Sequence, residues 1–226
     1  MVSSTLNKRI VIFAGHYGSG KTNISVNHAL YLKENGFPKT VIADLDIVNP
    51  YFRTKDAKEL FNEKGIRLIS PEYAGTNVDL PSLPAEAYSI IDDKTLNAVI
   101  DLGGDDRGAL AMGRYREEIL KENNFEMFFV LNMYRPLTRT VNDAILVMRE
   151  IEEASKMKFT AIINNSNLGD LTTKEDILSS VEFADELSKK TSLPIAMTTV
   201  KSSIFNEVKD LVKNAVAIEL YIKQSF

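Results

Sequence analysis

Eight consecutive residues carry the strongest chemical signal in this chain: Gly15-His16-Tyr17-Gly18-Ser19-Gly20-Lys21-Thr22. They fit the pattern G-x-x-x-x-G-K-[ST] in full. Gly15, Gly18 and Gly20 allow the backbone to curl until successive N–H groups face one anion. The helix expected to follow adds the partial positive charge of its N-terminus. Lys21 brings a mobile full charge for the β- and γ-phosphates, and Thr22 brings a hydroxyl for Mg²⁺, which keeps most of its waters. Ser19 and Asn23 complete the set of candidate phosphate contacts in this stretch.

Carboxylates follow at two apolar strand ends, Val41-Ile42-Ala43-Asp44-Leu45-Asp46 and Ala98-Val99-Ile100-Asp101-Leu102-Gly103-Gly104. In parallel sheets ligands gather outside the carboxyl ends of strands, so these acids belong beside the phosphates. Asp101 would accept from a metal-bound water or from Thr22. Gly104 ends a D-x-x-G stretch and would offer its N–H to a γ-phosphate. Asp44 reads equally well as a hydrogen-bonded strand-end carboxylate.

The elements that must position these groups alternate along most of the chain. Strand-like apolar runs cover residues 10–14, 40–45, 66–70, 98–102, 127–131, 159–164 and 194–198. Several are apolar on both faces, as strands covered from both sides are. Helical composition fills residues 21–35, 52–64, 85–91, 109–122, 139–156, 174–190 and 204–223. This alternation predicts an α/β fold in three layers, a mostly parallel sheet of about seven strands with helices on both faces. Residues 1–226 read as one domain, without linker, repeat or low-complexity segment. One long irregular stretch, 71–84, holds Pro71, Gly75, Pro81 and Pro84, and loops of this length are usually functional or mobile.

Composition removes other chemistries. The chain has no cysteine, which excludes disulfides, thiolate zinc, its own iron–sulfur ligands and a cysteine nucleophile; its two histidines are too few for a His-rich metal site. Lys and Arg number 27 against 31 Asp and Glu, a net charge of −4, which argues against general nucleic-acid binding. No run reaches the about 18 apolar residues of a membrane span, and residues 10–14 are too short for a signal-peptide core. The expected setting is the cytoplasm.

In their order along the chain, the P-loop, Asp-Leu-Asp and Asp-Leu-Gly-Gly-Asp resemble the MinD/ParA/CobQ branch of P-loop NTPases, in the SIMIBI class that also holds the nitrogenase iron protein and the signal-recognition GTPases. The resemblance runs from about residue 9 to residue 200 and implies an ATP–Mg²⁺ site, ATP hydrolysis and often an ATP-dependent homodimer closed face to face. It places Asp46 at the switch I acid that orients the attacking water beside the metal, Asp101 at the Walker B acid, and Asp105 at a second water-facing acid of switch II. Lys21, Asp46 and Asp105 are thus the candidate catalytic residues, and Thr22, Asp46 and Asp101 the candidate metal site.

Base choice is read at Asn164-Asn165-Ser166-Asn167. Guanine-specific relatives use N-K-x-D, whose Asp accepts two hydrogens from the base; Asn167 at that position turns a donor toward donors, which disfavours GTP. Asn165, or alternatively Asn164, resembles the adenine contact of ATP-using relatives. One departure stands out. MinD and ParA loops carry a second lysine where this chain has His16, and histidine with an ordinary pKa of about 6.5 is mostly neutral at pH 7. Arg53, Lys55, Arg107 and Arg114 are alternative cations, each otherwise an ordinary surface charge.

Three stretches remain. Asn49-Pro50-Tyr51-Phe52-Arg53 reads either as a partner-facing surface or as a helix start with core aromatics. Asn132-Met133-Tyr134-Arg135-Pro136, on the same sheet edge as the loop, has no role assignable from sequence. The C-terminal stretch 204–223 has balanced charges and reads as a helix packed on the sheet, unlike a basic membrane anchor. Two functions compete: an ATP-dependent switch of the MinD/ParA type with a protein partner not identified by sequence, and a biosynthetic ligase of the dethiobiotin-synthetase or cobyrinate-amidase type.

Overall fold

The computed structural model describes residues 8–45, 58–70, 85–104 and 112–221. Asp46, Asp105, Arg53, Lys55, Arg107 and the stretches 49–53 and 71–84 lie outside them.

Eight strands form one sheet: β1 (Ile10–Ala14), β2 (Thr40–Leu45), β3 (Arg67–Ile69), β4 (Asn97–Leu102), β5 (Phe125–Leu131), β6 (Ala161–Asn164), β7 (Ile195–Lys201) and β8 (Ala215–Ile218). Their spatial order is β3-β2-β4-β1-β5-β6-β7-β8, and every pairing among them is parallel. The helices are α1 (Lys21–Glu34), α2 (Lys58–Lys64), α3 (Ser89–Asp92), α4 (Arg116–Glu122), α5 (Val141–Ser155), α6 (Lys174–Thr191) and α7 (Ser202–Val208).

Strand alternation sorts the core into two layers. Val11, Phe13, Ile42 and Val99 meet Ile24, Val26 and Leu30 of α1 on one face. Ile10, Ile12, Ile100 and Phe129 meet Ile119 of α4, Ala144 and Met148 of α5 and Leu187 of α6 on the other. All five residues of β1 are buried, as befits a central strand covered on both sides. At its foot, Arg9 is buried and pairs through Nε and Nη2 with Glu122, while its Nη1 donates to Ile90 O (3.0 Å) and Leu96 O (3.1 Å). These hydrogen bonds hold the Glu122 carboxyl below its ordinary pKa against the opposing effect of burial.

The sheet differs from expectation at its C-terminal end. The stretch 204–223 was expected to be one helix, but α7 ends at Val208, Asn214 adopts a left-handed φ of 56°, and residues 215–218 pair with β7. Ala215-Val216-Ala217-Ile218 contains two β-branched residues, which suit a strand, and β7 offers an unpaired edge. This eighth strand is tied to α1: Asn27 Nδ2 donates to Glu219 O (2.8 Å), and Glu219 N donates to Asn27 Oδ1 (3.0 Å).

His28 lies mid-way along α1 as a packing residue. Its ring meets Phe13 edge-on at 5.5 Å and stacks on Tyr31 at 6.1 Å, and Nε2 is buried without a partner among the described residues. Burial lowers its pKa to about 4. The unfolded chain, with a pKa of about 6.5, binds the proton first, so stability is complete above that pH and falls as pH drops toward 4. We expect a loss of about 2 kcal/mol between pH 7.5 and pH 5 from this residue. Urea unfolding of His28→Phe should show a correspondingly smaller loss; an identical pH dependence would refute the assignment.

Candidate functional site

The glycine loop leaves the end of β1 and enters α1 directly. Gly18 and Gly20 adopt left-handed φ values of 77° and 87°, which explains glycine at both positions. Ser19 N donates to His16 O at 3.0 Å and closes the turn. The loop is wedged between neighbouring strand ends. A Cβ on Gly15 would lie 2.4 Å from Val130 O of β5, and a Cβ on Gly104, just past β4, would lie 2.0 Å from Gly15 O. The D-x-x-G glycine therefore abuts the loop.

α1 begins differently from the other long helices. Thr140 caps α5, and a Thr173–Asp176 capping box closes α6. The N-cap of α1 is Gly20, with no side-chain cap and no acid in the first turn. Such an N-terminus favours an anion. Lys21, Thr22 and Asn23 are only 5–6% exposed there, and Ser19 Oγ is buried without a partner among the described residues. Asn23 O also accepts from Asn27 Nδ2 at 2.8 Å.

Asp44 and Asp101 face each other in register across β2 and β4, and both are 0% exposed. They continue the alternation of Ile42 and Val99, so they lie on the α1 face of the sheet. Adjacent parallel strands are about 4.8 Å apart, so the two carboxyl groups leave the sheet side by side on that face. A donor set of one hydroxyl, Thr22, and strand-end carboxylates suits Mg²⁺, which takes one or two carboxylates, phosphate oxygens and several waters. Among the described residues no cluster of three or more His, Cys, Asp or Glu could hold a metal without such help.

The asparagines at the end of β6 and just past it are held within the protein. Asn164 is fully buried; its Nδ2 donates to Ser180 Oγ (2.9 Å), and its Oδ1 accepts from Ser166 N (3.2 Å). Asn165 is 3% exposed; its Nδ2 donates to Ser19 O (2.6 Å), and its Oδ1 accepts from Thr199 Oγ1. Neither amide presents a surface to a base. Asn165 instead supports the loop from beneath, so closely that a Cβ on Gly20 would lie 2.2 Å from its Nδ2. Asn167 is likewise committed to its own turn, donating to Asn165 O (2.7 Å) and accepting from Gly169 N (3.1 Å).

Sequence reasoning left Asn132 and Arg135 without a role. Asn132 Nδ2 donates to Asn167 O (3.1 Å), and its Oδ1 accepts from Tyr134 N (3.1 Å), which joins the β5–α5 and β6–α6 connections. Arg135 Nε donates to Gly18 O at 2.9 Å. The only sequence signal for either was their place after a strand on the loop's side of the sheet. His16, by contrast, stays local, with Nδ1 3.0 Å from Tyr17 O.

β1 lies between β4 and β5, so the chain departs in opposite directions on either side of it, and the loop sits at that switch point. Solved structures share this fold. FtsY from Mycoplasma mycoides matches with a TM-score of 0.57 at 20% identity over 84% of this chain and 59% of that one. The fold is P-loop NTPase-like. FtsY from Thermotoga maritima gives 0.58 at 17% identity, covering 84% and 61%. The signal recognition particle 54 kDa protein from Aeropyrum pernix, in complex with GDP, gives 0.53 at 16%, covering 87% and 42%. The chain thus spans about two fifths to three fifths of the length of these structures. No protein-family model and no curated protein matches the sequence. Among the described residues no helix is long and apolar enough to cross a membrane.

Proposed function

We propose that the chain binds Mg–ATP and hydrolyses it slowly as a nucleotide-dependent switch of the MinD/ParA type. One observation carries this reading: a glycine loop wedged between β4 and β5 opens an uncapped α1, whose Lys21 and Thr22 start on the sheet face that buries Asp44 and Asp101. Backbone N–H groups of the loop other than that of Ser19, the α1 N-terminus and Lys21 hold the phosphates. Thr22 and Asp101, with Asp46 as the resemblance implies, would hold Mg²⁺, which would neutralise phosphate charge. Asp46 and Asp105 orient the attacking water, as the resemblance implies, and positioning of this kind supplies most of the catalysis in phosphoryl transfer.

Adenine is favoured because Asn167 stands where guanine-specific relatives place a carboxylate, and both ends of its amide are already spent in its turn. A homodimer across the loop edge is supported by exposed apolar side chains on the loops leaving three adjacent strands: Tyr17 (52%), Leu137 (53%) and Leu171 (80%). A protein partner recognised in one nucleotide state remains part of this reading.

Calorimetry with Mg–ATP and Mg–GTP tests base choice, with ATP expected at least about tenfold tighter, a difference of about 1.4 kcal/mol. Light scattering with ADP and with a non-hydrolysable ATP analogue should show a doubling of mass only with the latter. Equal affinity for both nucleotides would reject the adenine assignment, and an unchanged mass would reject the switch dimer.

A further inference from the structure

His16 leaves the loop without the second lysine of MinD and ParA, and its ring turns back on Tyr17 O. A different cation meets the loop from outside. Arg135 Nε donates to Gly18 O at 2.9 Å, and a Cβ on Gly18 would lie 3.2 Å from Nε, 3.4 Å from Cδ and 3.6 Å from Cζ. The guanidinium group therefore rests against the apex of the loop, on the peptide that joins Gly18 to Ser19.

The segment that presents Arg135 is fixed on several sides. Arg135 N donates to Asn132 O (3.1 Å) and Thr138 N to Arg135 O (3.1 Å). Thr138 Oγ1 donates to Asn132 O (2.5 Å), and Tyr134 OH donates to Asp176 O (2.9 Å). Pro136 begins the short 3₁₀ turn Pro136–Thr138 that follows. The arginine thus meets the loop at little cost in order.

We propose that Arg135 is a positioning residue of the phosphate loop, fixing the Gly18–Ser19 peptide and supplying within the chain the positive charge that position 16 lacks, so that the loop discriminates triphosphate from diphosphate. The proposal rests on the nucleotide-binding reading above. A hydrogen bond from an ionised donor is roughly twice as strong as a neutral one, and guanidinium stays charged at any working pH. By holding the Gly18 carbonyl, it fixes the same peptide whose Ser19 N–H closes the turn on His16 O, and so fixes the shape of the loop around the anion. Its charge acts on the ligand across a single peptide layer, and the attraction grows with ligand charge.

The test is calorimetry of Mg–ATP and Mg–ADP with wild type, Arg135→Ala, Arg135→Lys and Arg135→Gln, with unfolding midpoints measured alongside. Arg135→Ala should weaken Mg–ATP by about 10–100-fold, as expected for loss of a hydrogen bond to a charged group. Mg–ADP, which shares the loop but carries less charge, should weaken about tenfold less, so the preference for ATP falls about tenfold. Arg135→Lys should restore most of that preference, and Arg135→Gln, which keeps an N–H donor without charge, should not. Arg135→Ala with the wild-type ATP-to-ADP ratio overturns the proposal, as does restoration by Gln equal to that by Lys. Wild-type protein that is folded yet binds neither nucleotide overturns the underlying reading and this proposal with it. Wild type that discriminates, with variants that discriminate equally well, overturns only the role of Arg135.

Discussion

Lys21→Met is expected to weaken Mg–ATP binding by about 100-fold or more, a loss of about 3 kcal/mol. The side chain is 5% exposed in the first turn of α1, beside a loop that holds no other lysine. An ammonium about 4 Å from one phosphate charge is worth about 4 kcal/mol at the effective dielectric of partly buried sites, so its removal outweighs any single backbone contact. Methionine keeps most of the stem's packing, which separates loss of charge from loss of fill. The same change also removes a cation from the face that buries Asp44 and Asp101, so the unliganded protein should unfold at lower denaturant than wild type. Calorimetry and urea unfolding on one preparation give both quantities. Affinity equal to wild type in the folded variant would refute the assignment of Lys21 to the phosphates.

The loop was legible because its glycine pattern is a backbone requirement: Gly18 and Gly20 are left-handed, and Gly15 is pressed against Val130 O of another segment. Periodicity carried seven strands, since buried parallel strands are apolar on both faces. The eighth escaped because Val208, Leu211, Val212, Ala215, Val216 and Ile218 also fit a helical stripe; only the left-handed Asn214 and the open edge of β7 decide for a strand. The partners of the asparagines were illegible for a different reason. An amide after β6 can serve a base or a carbonyl, and which it meets depends on the depth of the loop, a three-dimensional property. Asn165 lies beneath Ser19 and is consumed there. Arg135 lies 117 residues from Gly18, and no local pattern links a residue after β5 to the carbonyl it holds.

Both wedges on the loop are glycine contacts, and they separate binding from turnover. Gly104→Ala is expected to leave Mg–ADP affinity within about threefold while lowering ATP turnover about 100-fold or more, the scale seen when one backbone or amide donor is lost from a charge-stabilising site. The alanine Cβ would lie 2.0 Å from Gly15 O, 2.7 Å from Gly15 C and 3.1 Å from His16 Cα. All three are backbone atoms of the loop, so no side chain can yield. The D-x-x-G segment must then stand off from the loop, and the Gly104 N–H loses its approach to a γ-phosphate. ADP, which lacks that phosphate, still has Lys21, Thr22 and the α1 N-terminus. Overpacking costs about 1–3 kcal/mol of stability, which an unfolding curve should register. Gly113→Ala is the matched control, because a Cβ there meets nothing within 4 Å among the described residues, and neither stability nor turnover should change. Wild-type turnover in Gly104→Ala would show that hydrolysis proceeds without this close approach, and the D-x-x-G segment would then have no part in the reaction.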